Sequence, residues 1–426
     1  MAAAGFKAPV GTRDVLPPES GRWERLVARF ATVLGDAGYG LLQSPMFEEL
    51  GVFERVGEGT DIVRKEMYDF LDKGERRLAL RPEGTASVVR AFLQHRPVAP
   101  WKVWYAAPSF RYERPQAGRY RQHHQLGAEA VGSADPDLDV EMIVLAWDFF
   151  ASIGLRQVVL LVNSMGTPAD RAAYGQALTQ FLEARRGDLA AEDREKVGTH
   201  PLRVLDSKRS ATVAVLRDAP KVTESLSDDS AAHFDRVQAG LGALGIPFVL
   251  EPRLVRGLDY YTHTTFEFQA VALDSAQNAI GGGGRYDGLA ESLGGPHTPG
   301  VGFAAGIERI LLACDAEEVF GEGQEPLDVF VVDITGGAES LTLTTEFRRA
   351  GVRVDRAFDG RSMKAQMKAA NRSGARLAVI IGEDEQAAGT VTVRDLRSDA
   401  GQRVVARADV QQAVAADLER PVATDG

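Results

Sequence analysis

The chain has 426 residues, 44% of them hydrophobic and 26% charged, and a formal net charge of −11 at pH 7. Its length predicts two or three domains with sizeable buried cores, and its composition is that of a globular protein. The acidic balance argues against a protein that coats nucleic acid, although a local basic patch could still bind it.

Cysteine content and apolar runs restrict the class of protein further. The single cysteine, Cys314, excludes an intramolecular disulfide and a cluster of thiolate metal ligands. Its place in the run IERILLAC favours a packed thiol over a reactive one. The N-terminus MAAAGFKAPVG has no apolar signal segment, and no run reaches the roughly 18 apolar residues of a membrane span. We therefore expect a cytoplasmic protein without a membrane partner.

A long amphipathic helix is predicted after Pro17 and Pro18, because prolines suit a first helical turn. Its apolar residues recur at helical spacing, at Trp23, Leu26, Val27, Phe30, Leu34 and Ala37. The segment LLQSP then predicts a short strand that ends at Pro45. Such a helix could pack inside its domain or across a dimer interface, and the pattern fits both.

The segment RRLALRPEGTASVVRAF predicts a strand that turns into a helix. Glu83 and Thr85 lie at the junction, where side chains and backbone N–H groups can face a ligand. They can equally serve as caps of the helix, which is the simpler interpretation.

The segments WKVWYAAPSFRYE and QHHQLGAEAV predict two antiparallel strands. Period-two alternation puts Arg111 on one face of the first strand, and His123, Gln125, Gly127 and Glu129 on one face of the second. Charged side chains on strands are costly unless a ligand or a partner satisfies them, so this face predicts a binding site. Gly127, which has no side chain, would leave room there for a bound group.

The loop between these strands, RPQAGRYR, carries Arg114, Arg119 and Arg121 around Gly118. A basic loop of this kind suits phosphate groups, because guanidinium groups bind their oxygens in pairs. A solvated hairpin tip explains the same residues equally well.

Residues from about 165 to 245 predict a charged, helical insertion that lies outside the sheet. Gly240, Gly242 and Gly245 match the spacing G-x-G-x-x-G. They end a helix and precede a strand, the reverse of the order in a dinucleotide-binding unit, so we reject a site of that kind.

Two glycine-rich segments follow the run LVRGLDYYTHTTFEF. The four glycines at 281–284 predict either a close approach of the backbone to a ligand or a flexible hairpin turn. Residues 300–306 are expected to open a helix whose first turn carries Glu308 and Arg309. An arginine near a helix N-terminus suits an anionic ligand.

The segment GEGQEP at 321–326 predicts a linker, and alternating strands and helices beyond it predict a small α/β domain with a mostly parallel sheet. In the predicted helix at 361–373, Met363, Met367 and Ala370 point inward. The basic residues of that helix share its outer face, at Arg361, Lys364, Lys368 and Arg372. This stripe fits a solvated face or a polyanionic partner.

The phosphate-binding pattern G-x-x-x-x-G-K-[ST] does not occur in the sequence, so arginines and strand side chains would have to hold any nucleotide. Three segments resemble the motifs of class II aminoacyl-tRNA synthetases: the first helix with its strand, FRYERPQAGRYRQHHQ with its loop, and GVGFAAGIERI. The runs LVRGLDYYTHTTFEF and AIGGGGRYDGLAESLGG resemble signatures of the histidyl-tRNA synthetase family. The resemblance extends from about Gly11 to the last helix.

This resemblance implies an α+β catalytic domain at 1–325, with an antiparallel sheet of the class II synthetase type and the helical insertion at about 165–245. It also implies a C-terminal α/β anticodon-binding domain at 326–426. The expected activity is the ATP-dependent activation of L-histidine, with Mg²⁺, and its transfer to the 3′ end of tRNA(His) by a homodimer.

The resemblance assigns roles to individual residues. By this resemblance, Glu83, Thr85 and Gln125 would bind the α-amino group of histidine, and Glu129, Tyr260 and Tyr261 would bind its imidazole. Arg256 and Arg111 would be the catalytic residues, and Arg111, Arg309 and His123 would bind ATP. The acceptor end of tRNA falls to Arg114, Gln116 and Arg119, and magnesium would arrive with ATP without a protein metal site.

Two alternatives stay open. The family commonly has phenylalanine where this chain has His123, and an imidazole there could make ATP affinity weaker or pH-dependent. A non-catalytic, histidine-sensing regulatory subunit of ATP phosphoribosyltransferase would share the catalytic fold. The complete LVRGLDYY run and the C-terminal domain disfavour it, and three intact arginines disfavour a module that only binds tRNA or senses stress.

Overall fold

The computed structural model describes residues 5–57, 62–205, 207–255, 260–273, 278–321, 326–398 and 401–419. The chain folds as two compact units, Met1–Gly323 and Gln324–Gly426. Within the described residues, the helices are too short or too polar to cross a membrane.

The first unit mixes helices and strands along the chain. Its helices are α1 (Glu19–Asp36), α2 (Leu50–Gly57), α3 (Thr85–His95), α4 (Pro136–Ser152), α5 (Pro168–Glu183), α6 (Ala191–Arg194), α7 (Ser210–Leu216), α8 (Asp228–Ala243), α9 (Leu289–Ser292) and α10 (Ile307–Ala316). Its strands are β1 (Gly40–Leu41), β2 (Phe47–Glu49), β3 (Tyr68–Leu71), β4 (Arg77–Leu80), β5 (Trp101–Phe110), β6 (Gln122–Val131), β7 (Val158–Ser164), β8 (Val249–Leu250), β9 (Thr262–Ala270), β10 (Ala279–Arg285) and β11 (Gly300–Gly306).

The main sheet of the first unit is largely antiparallel. Its strands lie in the order β1-β5-β6-β11-β10-β9-β7-β8 among the described residues, and only the outer pairs β1–β5 and β7–β8 are parallel. Strands β2, β4 and β3 form a separate antiparallel sheet. The predicted α+β class is confirmed.

Helix α1 packs inside the first unit. Leu26, Phe30 and Leu34 are fully buried, and the ring of Phe30 meets those of Trp104 at 5.9 Å and Phe149 at 5.0 Å. Each such side chain contributes about 1.5–3 kcal/mol on burial. The sequence allowed this helix to pack either inside its domain or across a dimer interface. Its apolar residues pack in the core of the first unit.

The glycines at 281–284 form the middle of β10, between β9 and β11, so the hairpin-turn interpretation is wrong. A Cβ at Gly283 would lie 2.0 Å from the carbonyl oxygen of Gly302, and Gly284 has a φ of 157°. The glycines are needed because the neighbouring strands approach too closely for side chains.

Residues 300–306 form strand β11, so the prediction that they open a helix is wrong. The predicted helix with Glu308 and Arg309 in its first turn is correct and follows the strand directly. This strand pairs with β6 on one side and with β10 on the other, and α10 begins only at Ile307. Its glycines make room for neighbours in the sheet: a Cβ at Gly300 would lie 2.4 Å from the ring of Tyr286. Glycine richness here reflects close packing and not a turn.

The predicted insertion divides between two cores. Helices α5 and α7 surround a set of buried residues, here called the insertion core: Tyr174, Leu178, Leu182, Leu189, Val197, Val204, Leu205, Leu216 and Val222. Helix α8 instead packs on α4, and its residues Phe234, Val237 and Leu241 belong to the main core. Gly240 allows this contact, since a Cβ there would lie 2.8 Å from Val140.

The second unit is an α/β fold. It contains β12 (Val329–Asp333), α11 (Ala338–Arg349), β13 (Val354–Arg356), α12 (Met363–Arg372), β14 (Leu377–Ile381), α13 (Glu383–Ala388), β15 (Thr390–Asp395), β16 (Gln402–Ala406) and α14 (Val410–Glu419). The strand order is β13-β12-β14-β15-β16, with the first three parallel and the last two added in antiparallel fashion. The expected mostly parallel sheet is therefore wrong for its second half, because β15 and β16 form a hairpin at its edge.

Helix α12 has the two faces that its sequence predicts. Ala370 is buried, and Met363 and Met367 pack around it. The basic residues Lys364, Lys368 and Arg372, and Arg361 before the helix, are exposed to solvent. The second unit therefore presents a basic helix face.

Candidate active site

A cavity of about 390 Å³ lies on the main sheet of the first unit. It is lined by most of the residues that the sequence singled out: Glu83, Thr85, Arg111, Arg119, His123, Gln125, Tyr260, Tyr261 and Arg309. Of the other predicted residues, Glu129 lies behind the wall, whereas Arg114 and Gln116 are exposed. Arg256 lies outside the described residues.

Glu83 caps helix α3 and faces the cavity at the same time. Its carboxylate accepts hydrogen bonds from the backbone N–H of Thr85 at 2.6 Å and of Ala86 at 2.9 Å. Burial raises the pKa of Glu83, while these N–H groups and the nearby Arg111 oppose that rise. The capping interpretation is correct for Glu83, and the cap also fixes its carboxylate in the cavity wall. It is wrong for Thr85, whose hydroxyl donates to Glu129 instead.

Glu129 is a fully buried carboxylate on β6 that accepts hydrogen bonds from hydroxyl groups. The hydroxyl of Thr85 donates to its Oε1 at 2.7 Å, and that of Tyr105 donates to the same atom at 3.4 Å. The hydroxyl of Tyr286 donates to its Oε2 at 2.6 Å. Burial raises the pKa of Glu129 to about 8, so the group loses its proton only when the pH rises above neutral.

Glycines shape the space around this carboxylate. A Cβ at Gly302 would lie 1.7 Å from Oε2 of Glu129, so only glycine fits there. The room predicted beside Gly127 for a bound group does not exist, because the ring of Tyr105 fills it: a Cβ at Gly127 would lie 2.2 Å from that ring. Tyr105 stands opposite Gly127 in the pairing of β5 with β6.

Aromatic rings line the cavity next to Glu129. The ring centroid of Tyr260 lies 4.8 Å from that of Tyr261 and 6.0 Å from that of Tyr286. The ring of Tyr261 rests on Gly284, where a Cβ would lie 2.9 Å from its Cδ1. Sequence reasoning named Tyr260 and Tyr261 but missed Tyr105 and Tyr286, whose positions depend on strand pairing.

Guanidinium groups from separate elements meet in the cavity. Nε of Arg111 donates to the carbonyl of Pro82 at 2.9 Å, and Nη1 of Arg309 donates to that of Ala279 at 2.9 Å. Burial, together with Arg119 and Arg111, lowers the pKa of Arg309. Cations that share one cavity repel each other and favour the binding of an anion, so the site suits phosphate or carboxylate groups.

His123 is neutral in this site. Burial lowers its pKa to about 3, and the cations Arg111 and Arg309 act in the same direction. A neutral imidazole offers a flat ring for stacking, and it changes charge only far below physiological pH.

The loop 111–121 has two kinds of arginine. Its tip is closed by paired backbone bonds between Gln116 and Arg119 at 2.9 and 3.0 Å, and Arg119 also pairs with Glu113 at 2.7 Å. Arg121, predicted with the phosphate-binding arginines, instead stacks on the ring of Tyr112 at 3.8 Å. Its guanidinium packs the base of the loop, so we correct that assignment.

The chain is similar to known proteins over most of its length. The sequence model of the family described as "Histidyl-tRNA synthetase" matches residues 11–310, and that of the "Anticodon binding domain" matches 328–416. The chain is 49% identical to "Histidine--tRNA ligase" of Moorella thermoacetica, over 92% of this chain and 94% of the relative.

Solved structures give the same result. Apo histidyl-tRNA synthetase of S. aureus superposes with a TM-score of 0.81 and 34% identity, over 96% of this chain and all of that one. A protein described as ATP phosphoribosyltransferase regulatory subunit/histidyl-tRNA synthetase, from Bacillus halodurans C, has a TM-score of 0.61 at 21% identity, over 82% of this chain and 92% of that one. The second match shows the fold alone.

Proposed function

The chain belongs to the histidyl-tRNA synthetase family, and we propose that the cavity of its first unit is the site of histidine activation. The protein is a class II aminoacyl-tRNA ligase that uses ATP to join L-histidine to tRNA(His). The observation that best supports the proposed site is the buried Glu129, held by hydroxyl groups beside a cavity that also contains arginines.

The imidazole of histidine is proposed to lie between Glu129 and Tyr261. The two nitrogen atoms of the ring can form hydrogen bonds with the carboxyl group on one side and the phenol on the other. An amino acid with an apolar side chain would form neither hydrogen bond, and this loss discriminates far more strongly than apolar fit. Tyr260 would pack against the ring.

The α-amino group is proposed to be bound by Glu83, Thr85 and Gln125. The carboxylate of Glu83 is already fixed by the N–H groups of α3, so little ordering is needed on binding. Oε1 of Gln125 accepts from Ser109 at 3.1 Å and retains a second lone pair for an ammonium donor.

ATP is proposed to bind with its α-phosphate at Arg111, its outer phosphates at Arg309 and its adenine on the ring of His123. A carboxylate oxygen of histidine then attacks the α-phosphorus, the bond to the β-phosphate oxygen breaks, and pyrophosphate leaves. Arg256, which lies outside the described residues, is proposed to stabilise the charge that develops. Positioning and fixed positive charge suffice, without a covalent enzyme intermediate.

Magnesium is proposed to accompany the nucleotide. No trio of His, Cys, Asp and Glu side chains within the described part of the chain is arranged to hold a metal ion. Mg²⁺ commonly keeps its waters and binds phosphate oxygens, so the ATP phosphates would supply most of its ligands other than water. No step above depends on a metal ligand of the chain.

The second step is proposed to use both units. The 3′-terminal ribose hydroxyl of tRNA attacks the carbonyl carbon of the adenylate, and AMP leaves. Arg114, Gln116 and Arg119 would guide the acceptor end, since the loop tip is exposed beside the cavity. Residues 326–426 are proposed as the anticodon-binding domain and residues 1–325 as the catalytic domain, and the basic face of α12 suits an anionic backbone.

A cytoplasmic homodimer is proposed for the assembly and its location. Large apolar side chains on β2 and β3 are exposed, with Phe47 at 51%, Phe70 at 43% and Leu71 at 64%. The ring centroid of Phe47 lies 6.4 Å from that of Phe70. An exposed apolar patch of this kind suits an interface.

A histidine-sensing regulatory subunit is the less supported alternative, because its likeness to this chain is confined to the fold. The test uses the purified chain with labelled histidine, ATP, Mg²⁺ and tRNA(His). Charging of the tRNA with histidine and with no other amino acid is expected. Binding of histidine without charging would instead favour the sensor.

A further inference from the structure

The helical insertion contacts the backbone of the histidine-recognition segment. Nη1 of Arg171, in the first turn of α5, donates a hydrogen bond to the carbonyl of Tyr261 at 3.1 Å. Val255 packs against the insertion core. Residues 256–259, between these two contact points in the sequence, lie outside the described residues. The insertion therefore holds the chain on both sides of the segment that carries Arg256.

Arg171 projects from a fixed platform. Thr167 and Asp170 form a capping box at the start of α5, and the carboxylate of Asp170 also accepts from the N–H of Ser227 at 2.8 Å and the hydroxyl of Ser230 at 2.6 Å. Although burial would raise the pKa of Asp170, hydrogen bonds from Ser230 and Thr167 outweigh it and hold the pKa well below its usual value. These bonds join the beginning of α5 to the beginning of α8.

The backbone near Tyr261 is held by the main sheet as well. The N–H of His263 donates to the carbonyl of Gly166 at 2.8 Å, and the N–H of Met165 donates to the carbonyl of His263 at 2.7 Å. Nδ2 of Asn163 donates to the carbonyl of Leu254 at 3.1 Å. The Tyr261 carbonyl is thus an acceptor through which a side chain of the insertion contacts this backbone.

The ring of Tyr261 lines the cavity, so its position there depends on the orientation of the Tyr261 backbone. It lies against Gly284, where a Cβ would come within 2.9 Å of its Cδ1, so the ring is close to the strand on that side. A small rotation of the Tyr261 peptide would therefore move the phenol hydroxyl along the cavity. Displacements of about 1 Å at a positioned group are enough to weaken recognition strongly.

We propose that Arg171 is a positioning residue through which the helical insertion controls histidine recognition. Its guanidinium holds the Tyr261 backbone so that the phenol meets the imidazole, and a shift of the insertion changes the affinity for histidine. This inference depends on the proposed role of Tyr261 in binding the imidazole.

The test is a double-mutant cycle on the full chain, with Arg171→Met, Tyr261→Phe and the double variant. Methionine keeps an unbranched stem but removes the donor. Arg171→Met should raise the KM for histidine about tenfold in ATP–pyrophosphate exchange, because losing a charged donor is worth at least one power of ten. In the Tyr261→Phe background the same change should have less than about a twofold effect, since residues acting as a unit are not additive. The KM for ATP should stay constant.

Controls separate positioning from folding. Arg185→Met removes an arginine just after α5 whose guanidinium stacks on Phe181 at 3.9 Å, and it should behave as the parent. Arg171→Lys keeps a donor and should recover part of the histidine KM. Parallel rises in the KM for histidine and for ATP, or equal effects of Arg171→Met in both backgrounds, would overturn the coupling.

The two proposals fail in different ways. If Tyr261→Phe leaves the KM for histidine unchanged, the proposed role of Tyr261 in recognition is wrong. The proposed coupling of Arg171 to Tyr261 is then wrong as well. If Tyr261→Phe raises that KM but Arg171→Met does not, only the coupling is wrong.

Discussion

The hydroxyl of Tyr286 donates a 2.6 Å hydrogen bond to Oε2 of Glu129, and both side chains are almost completely buried. Tyr286 owes its place to its neighbour Arg285, whose fully buried guanidinium pairs with Asp139 at 3.1 Å and fixes the end of β10. The carboxylate that we propose for imidazole recognition is therefore oriented from the centre of the main sheet.

Tyr286→Phe should raise the KM for histidine about tenfold, because a buried carboxylate oxygen without its donor costs about 1–3 kcal/mol. Steady-state pyrophosphate exchange measures the change. Tyr174→Phe is the matched control, since the hydroxyl of Tyr174 donates to the carbonyl of Pro220 inside the insertion. Equal histidine KM values for the two variants would show that the Tyr286 hydroxyl does not act through Glu129.

Gly302→Ala should reduce histidine activation by a factor of about 100 or more, because the added methyl group would push the Glu129 carboxyl group out of its hydrogen-bonded position. The added methyl group would lie 1.7 Å from Oε2 of Glu129. Gly242→Ala, on helix α8, has no atom within 4 Å of the new carbon and should keep full activity. Near-parental activity of Gly302→Ala would mean that the carboxylate is free to move away.

Glu129 should make the stability of the chain fall as pH rises. Its folded pKa, about 8, exceeds that of an unfolded glutamate, so the folded state binds more protons between the two values. The contribution is fully present below the unfolded pKa and is lost as pH rises through the folded pKa, at on the order of 1 kcal/mol per pH unit. Melting curves of the parent and of Glu129→Gln at pH 5 to 9 test this. The parent should lose stability relative to Glu129→Gln across this range, and parallel curves would refute the shift.

His123 should not make ATP binding pH-dependent. With a pKa of about 3 it is neutral throughout the pH range of the assay. The pH-dependent ATP affinity that a histidine at this position suggests from the sequence is therefore not expected. The KM for ATP between pH 6 and 8 should have the same profile in the parent and in His123→Phe, with values within about threefold, because both rings can stack on adenine. A rise in the parental KM near pH 6.5 that disappears in His123→Phe would contradict a neutral imidazole.

The sequence predicts on which face of a strand a side chain lies better than it predicts which residue on the next strand pairs with it. Period-two alternation correctly groups His123, Gln125 and Glu129 on one face of β6, and the pairing of β5 with β6 bears this out. The same pattern cannot show that Tyr105 stands opposite Gly127 and fills its space, because strand register depends on distant parts of the chain. Tyr286 was missed for the same reason.

The structural role of glycine is harder to predict from the sequence than that of other residue types. Strand β11 was expected to open a helix, although its glycines serve the close approach of Glu129 and Tyr286. Turns, helix starts and crowded strands all use glycine, and only the neighbours tell them apart. The loop arginines show a similar limit, since Arg121 stacks on the ring of Tyr112 while Arg114 is exposed.

The most direct test of the proposed site is a crystal structure of the chain with histidine and a non-hydrolysable ATP analogue bound. We expect the imidazole nitrogens within hydrogen-bond distance, about 3.2 Å or less, of the Glu129 carboxylate and the Tyr261 hydroxyl. The phosphates should lie against Arg111 and Arg309. An imidazole bound away from Glu129, or phosphates that contact neither arginine, would contradict the account.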